Sequence, residues 1–323
     1  MSVGFLKRPD GKWAVGLGKG HWQGSRPEGQ PAFYAPDFFL KSKSPWLAFE
    51  HFTLQSDFAL PTESRSLQFA QPSKDLFVHR TQSLLASIAR AEIRKAVPVE
   101  FEIADSASAE IPISSLPTSP QLFPYGFWTD EEGMLGATPE ILFQLEGLNL
   151  KTMALAGTAS LESPSLLENP KEMHEHRLVI EDIQNALSSF GEVKIGETQE
   201  KMLPTLKHLF TPIEVILQQV VSPETLISAL HPTAALGGFP RAEAQEWLAQ
   251  QPEASIRRRY GAPFGYVDDH SALILVAIRN IQRFDEKIWL GSGCGVVEGS
   301  QPEREWEELK LKRQSVRDML GLQ

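Results

Sequence analysis

The chain has 323 residues, with 31 Lys plus Arg against 41 Asp plus Glu and a formal charge of −10. Its 41% hydrophobic and 22% charged residues are the balance of a globular chain, not a disordered one. The acidic excess argues against a nucleic-acid partner, which needs a basic surplus to displace counterions. A single cysteine, Cys294, excludes an intrachain disulfide.

Met1 to Trp13 carries Lys7, Arg8 and Asp10 and lacks the apolar stretch of a secretory signal. The longest apolar run, Ala272 to Ile278, falls far short of the ~20 residues that cross a bilayer. The expectation is a soluble cytoplasmic protein with no membrane contact.

Residues 1–75 are rich in Gly, Pro, Ser and aromatics and read as strands and turns. Residues 80–92 fit a helix with Leu84, Leu85, Ile88 and Ala89 on one face. Val97, Val99, Phe101 and Ile103 alternate, so 95–103 reads as one strand, with Pro98 marking an edge or bulge. Lys95 is in phase with them. On a buried face it is a candidate for the neutral amine of a general base; on an open one it is a strand-end lysine reaching water.

Residues 104–124 read as loop. A hairpin follows over 134–157, with arms Glu140 to Leu145 and Leu150 to Ala156. Glu140 points away from Ile141, Phe143 and Leu145. It is either solvent-facing or a protonated general acid with a raised pKa.

A polar connection, 159–171, leads to a helix over 172–188. His174-Glu175-His176 is a poor metal grip there, because two helical residues that far apart point ~200° away from each other. Glu175 could serve a hard cation such as Mg²⁺ if another helix supplied a second carboxylate. A surface ion pair is the bland alternative.

Helices are predicted over 204–220 and 241–250, and strands over 260–267, 271–281 and 287–291. His231 has no acidic neighbour in sequence to orient it, which favours a structural role at least as much as catalysis. Arg279 ends the apolar run and needs a carboxylate partner, from protein or ligand. Gly291-Ser-Gly293-Cys-Gly295 permits close approach of backbone to a ligand, or a tight turn.

The last helix, about 301–320, opens on Ser300-Gln-Pro-Glu303, a capping box with Pro near the first turn. Glu305, Glu308 and Lys312 fall within about 60° of one another on it. Strands at both ends with helices between them predict an α+β fold with antiparallel sheets in one domain, 1–323.

Taken in order, these strings resemble the chorismate-utilising enzymes: isochorismate synthases, salicylate synthases and the first components of anthranilate and aminodeoxychorismate synthases. The matching pieces are Ala137-Thr-Pro-Glu140, Met153-Ala-Leu-Ala-Gly-Thr158, His174-Glu-His176, His231-Pro-Thr-Ala-Ala235, Tyr260-Gly-Ala-Pro-Phe-Gly-Tyr266, Ile278-Arg279, Gly293-Cys-Gly295 and Glu305-Trp-Glu-Glu-Leu-Lys-Leu-Lys312. They cover about 80–320, leaving 1–79 as a variable part. The resemblance implies two large packed antiparallel sheets flanked by helices, with a cleft between.

It also implies roles. Glu175 and Glu308 match Mg²⁺ ligands, with Glu305 close by and acting through water. Arg279 and Lys312 match residues that hold substrate carboxylates. Gly157, Thr158, Gly293, Tyr260, Ile278, Ala235 and Leu236 match the pocket wall. Ammonia-adding members carry a lysine where this chain has Ala156, so the resemblance points to the water-using branch, an isomerase making isochorismate. There the lysine matching Lys95 is the base and the glutamate matching Glu140 is the acid.

A salicylate synthase, which goes on to eliminate pyruvate, shares all these residues. An anthranilate-type lyase fits less well, given Ala156, and a non-catalytic chorismate binder would have lost some of them. The partner expected is chorismate alone, on a monomer. Departures from the family pattern are a shorter segment before Lys95, a trimmed 159–171 connection, and Gly291 in place of a bulkier residue, which predicts a looser pocket.

Overall fold

Alternating apolar stretches build four strands in the first 60 residues: β1 (Ser2–Lys7), β2 (Trp13–Gln23), β3 (Ala32–Tyr34) and β4 (Trp46–Gln55). The computed structural model describes residues 2–60, 67–105, 116 and 119–322. After β4 come α1 (Lys74–Ala89), β5 (Lys95–Ala96), β6 (Val99–Asp105), β7 (Phe123–Trp128) and β8 (Gly133–Thr138). Next are β9 (Ile141–Glu146), β10 (Asn149–Ser160), α2 (Pro170–Leu187), β11 (Gly191–Ile195), β12 (Gln199–Met202) and β13 (Leu206–Leu217). The chain continues through α3 (Pro223–Leu230), β14 (Gly238–Phe239) and α4 (Arg241–Ala249). It closes with β15 (Pro263–Val267), β16 (Ser271–Val276), β17 (Asn280–Phe284), β18 (Lys287–Gly293), β19 (Val296–Val297) and α5 (Pro302–Leu320).

Among the described residues, sixteen strands make one antiparallel ladder. Its order is β11-β13-β10-β9-β16-β15-β3-β4-β2-β1-β7-β8-β17-β18-β6, with β12 beside β13. The ladder doubles back on itself. Rings of Tyr125 and Phe127 in β7 lie 5.3 and 6.4 Å from Phe264 in β15, although four strands separate β7 from β15 along the ladder. The two far ends meet as well: Phe101 and Trp289 share one apolar core with Leu142, Ala154 and Ile213. The result is the expected two packed antiparallel layers, hydrogen-bonded into one sheet at the fold. The first four strands sit in the middle of that ladder.

A separate small sheet, β14-β5-β19, stands beside it. Pro98 is the reason. Without an N–H it cannot continue a ladder, so the predicted 95–103 strand splits: Lys95 joins the small sheet while Val99 onward pairs with β18. Lys95 therefore does not share a sheet face with Val99 and Phe101.

Other expectations shift for local reasons. The helix predicted over 204–220 is the strand β13. Thr211-Pro212 interrupts any helix, and Ile213, Val215 and Leu217 are buried while Glu214 and Ile216 are exposed, a period of two. The predicted 271–281 strand breaks at Arg279, whose φ of 55° turns the chain from β16 into β17. The loop predicted over 104–124 already contains the start of β7; its residues 106–115, 117 and 118 lie outside the described ones.

Two helices carry acidic side chains toward each other. Asn169 caps α2, its side chain accepting from the Lys171 and Glu172 amides, with Pro170 opening the first turn. His176, Val179, Ile183 and Leu187 face the sheet. The capping box expected for α5 does not form: Gln301 holds the cap position without a side-chain bond, and the Ser300 hydroxyl accepts from the Val297 amide instead. Gly321, at φ 64°, ends α5. No helix among the described residues is long and apolar enough to cross a membrane.

Candidate active site

A slip in the pairing of β10 borders a small cavity of about 50 Å³. The β10–β13 pairing slips between Ala156 and Ala159, a bulge that turns the Gly157 carbonyl out of the ladder. Gly157 takes φ 69° there, a backbone state that favours glycine. Glu140, Gly157, Thr158, Glu175, Ala235, Leu236, Tyr260, Ile278, Arg279, Gly293 and Lys312 all line the cavity, with Ala156 and His208. Glu305 and Glu308 stand in an adjoining open cleft of about 910 Å³ that shares Thr158 with it.

Lys95 lies directly behind the wall, fully buried, with Nζ 3.0 Å from Glu175 Oε1. β14 and β19 grip it from both sides, pairing it with Phe239 and Val297. Gly295 makes the contact possible: a Cβ there would collide with Glu175 Oε1 and come within 2.9 Å of Lys95 Cε.

Glu140 sits at the β8–β9 junction, 3% exposed, its amide bonded to Thr138 Oγ1. Burial pushes its carboxyl up to about 8, against the opposing pull of Lys95, Lys201 and Lys312. At neutral pH it keeps its proton. Lys95 is thus near enough for its charge to be felt at Glu140.

Arg279 is buried and meets no carboxylate among the described residues. It donates to Ser315 Oγ and, through Nη2 at 3.2 Å, to His208 Nε2. His208 in turn donates from Nδ1 to the Gly157 carbonyl at 2.8 Å, which leaves Nε2 as the acceptor. Burial and then the Arg279 charge hold the His208 ring well below its ordinary pKa, so it stays neutral. Glu308 acts on the Arg279 charge without an ion pair to it. Lys312 bonds the Gly293 carbonyl at 2.8 Å and Glu308 at 2.6 Å.

Four carboxylates face one another across α2 and α5: Glu172, Glu175, Glu305 and Glu308. The Lys171 ammonium stands between three of them, 3.1 Å from Glu172, 3.7 Å from Glu175 and 3.0 Å from Glu305. Burial and then Glu308 push Glu305 up to about 7; burial and Glu175 raise Glu172. Burial opposes ionisation of Glu175 too, but Lys95 and Lys171 outweigh it and hold that carboxyl at about 2. Burial likewise works against the charge of Lys171, and the surrounding carboxylates reverse that, raising its pKa well above the ordinary value. An all-carboxylate donor set fits a hard cation such as Mg²⁺. No three His, Cys, Asp or Glu side chains among the described residues converge on one metal-sized point as they stand.

The histidine readings resolve as structural. His176 Nε2 bonds Thr211 Oγ1 at 2.7 Å, on the sheet side of α2. His231 Nε2 bonds the Phe38 carbonyl at 2.7 Å, and burial pushes its ring down to about 3.

A family model described as chorismate binding enzyme matches residues 43–321. The chain belongs to the chorismate-binding enzymes. The match begins well before residue 80, inside the part read as variable. Among relatives, a salicylate biosynthesis isochorismate synthase of Pseudomonas aeruginosa is 37% identical over 199 residues, covering 58% of this chain and 42% of that protein. The isochorismate synthase MenF of Bacillus subtilis is 34% identical over 212 residues, covering 61% and 45%. The matched chain thus spans about half the length of these curated relatives. The solved structure of the menaquinone-specific isochorismate synthase MenF from Escherichia coli superposes with a TM-score of 0.80 at 21% identity, covering 99% of this chain and 89% of that one. It shares the fold.

Three residues of this chorismate-binding enzyme's site, Lys171, Glu172 and His208, carry no role in the sequence expectations. Lys171 falls at the end of the connection expected over 159–171, and Glu172 at the start of the helix expected over 172–188. A signal was available: Glu172-Met-His-Glu175 and Glu305-Trp-Glu-Glu308 have the same three-residue spacing, which puts paired carboxylates on one face of each helix. His208 was hidden by the mistaken helix over 204–220. Gly291, expected to loosen the pocket, does not line it: a Cβ there would meet the Tyr260 ring at 2.7 Å and Phe101 at 2.8 Å, so those rings already fill the space.

Proposed function

We propose that this chain is an Mg²⁺-dependent isochorismate synthase, an isomerase that converts chorismate to isochorismate. The observation that carries the reading is a buried lysine behind, and a buried, proton-holding glutamic acid lining, one cavity whose wall has Ala156 where the ammonia-adding branch carries a lysine. The relatives named as isochorismate synthases support the same reading.

The chemistry is an exchange of one water for another. Lys95 takes a proton from a water whose oxygen bonds to ring C2. Two ring double bonds shift. The C4–O bond breaks as Glu140 gives its proton to the leaving hydroxyl, which departs as water. Arg279 and Lys312 hold substrate carboxylates, and the neutral His208 keeps the Arg279 guanidinium in place. Glu175, Glu305, Glu308 and Glu172 would hold the divalent ion, which when bound neutralises the ring carboxylate. The product would serve menaquinone or catecholate siderophore synthesis.

The test is product analysis after incubation with chorismate, with Mg²⁺ and with EDTA. Isochorismate is expected with Mg²⁺ and lost with EDTA. Absence of isochorismate under both conditions rejects the reading, and release of pyruvate with salicylate assigns the chain to the lyase branch.

A further inference from the structure

Lys171 holds the position that a divalent ion would need. Its ammonium lies within 3.0 to 3.7 Å of Glu172, Glu175 and Glu305. A cation that binds these oxygens at the ~2.1 Å typical of Mg²⁺ cannot share them with an ammonium at that range. Two like-signed ions in one pocket also repel strongly where water is scarce.

We propose that Lys171 is an internal counter-ion that competes with the metal: it neutralises the carboxylates, swings out when a divalent ion enters, and thereby sets the metal affinity of the site. The inference rests on the reading that this cluster takes a divalent ion. Three features support it.

Lys171 is in the first turn of α2, and its side chain is 21% exposed while Glu305 is 3% exposed. The ammonium therefore has a way out that the carboxylates lack. That way leads into the 910 Å³ cleft, which Lys171 itself lines. Glu168, Glu303 and Glu307 also line the cleft, so the displaced ammonium keeps carboxylates nearby. Lys95 and Lys312 also pair with cluster carboxylates, Glu175 at 3.0 Å and Glu308 at 2.6 Å, but each is held in place by a further contact, Lys95 fully buried behind Gly295 and Lys312 bonded to the Gly293 carbonyl.

Titration calorimetry with Mg²⁺ alone, without chorismate, tests the competition. K171Q is expected to bind Mg²⁺ at least about tenfold more tightly than the unmodified chain, since it removes a neighbouring positive charge. R304Q, which removes a charge from the cleft but not from the cluster, is expected to change affinity less than about twofold. In EDTA, K171Q should melt at a lower temperature, and it should gain more from Mg²⁺. Equal or weaker binding by K171Q overturns the proposal, as does an equal effect of R304Q.

A second measurement needs no variant. Acetylation of the whole chain with an N-hydroxysuccinimide ester, read by mass spectrometry, should label Lys171 more when Mg²⁺ is added and leave the exposed Lys151 unchanged. Unchanged or reduced labelling of Lys171 overturns the swing. If neither chain binds Mg²⁺, both this inference and the metal part of the functional reading fall. If K171Q and the unmodified chain bind Mg²⁺ alike, the functional reading stands and this inference does not.

Discussion

Lys95 and Glu140 meet burial in opposite ways. Lys95 is stripped of water but given Glu175 at 3.0 Å, while Glu140 has only distant lysines and keeps its proton instead. Lys95→Ala is expected to lower kcat by ~10²–10⁴-fold with little change in chorismate affinity. Comparable losses in both would make Lys95 a substrate anchor. Glu140→Gln should be similarly slow, and the unmodified enzyme should lose kcat as pH rises through about 8, where the acid gives up its proton. The same group links pH to stability. Its folded pKa, about 8, lies above the ordinary 4.5, so its contribution is complete below about 4.5 and is lost as pH rises to 8. Glu140→Gln, which cannot ionise, should therefore gain on the unmodified chain by a few degrees in Tm between pH 5 and pH 9. A pH-independent difference in melting would show that Glu140 is not a buried acid.

At the scale of elements, the site depends on short segments approaching closely. Gly295, between β18 and β19, is the narrowest point, because α2 presents Glu175 and β5 presents Lys95 to the same spot. Its φ is ordinary for any residue, so only the added methyl matters. Gly295→Ala should remain folded, at a cost of ~1–3 kcal/mol for overpacking. Separating Lys95 from Glu175 should still reduce kcat by more than about tenfold. Urea melts and steady-state rates check the two parts; full activity would mean that the contact has no role. The twin three-residue Glu spacings make the related point for helices: α2 and α5 each deliver two carboxylates to one place because the spacing matches a helical turn.

At the scale of the whole molecule, α5 must be fixed against the sheet for its carboxylates to face α2. A buried charge network fixes it. Arg313 bonds Glu102 of β6 at 2.8 Å and Ser292 of β18 at 2.7 Å, and Arg317 joins the same Glu102. Glu102→Gln leaves two arginines without their shared carboxylate and is expected to cost ~3–5 kcal/mol. Denaturant unfolding measures this. A loss below about 1 kcal/mol would mean that apolar packing of Leu309, Val316 and Leu320 holds the helix unaided.

Local chemistry determined much of this protein from its sequence. The α2 and α5 helices and the 140–156 hairpin follow from periodicity and turn and capping signals that act over a few neighbours, whereas the residues lining the cavity were legible only through the family resemblance. Tertiary structure decided the rest, since it depends on pairing partners far away in the chain. Residues 206–217 became a strand because β10 and β11 flank them. Pro98 moved Lys95 onto a second sheet. The doubling of the ladder brought Glu140, Glu175 and Arg279 to one wall. Whether Glu140 ionises, and whether Lys171 stands among carboxylates, are set by burial and by charges from several elements at once.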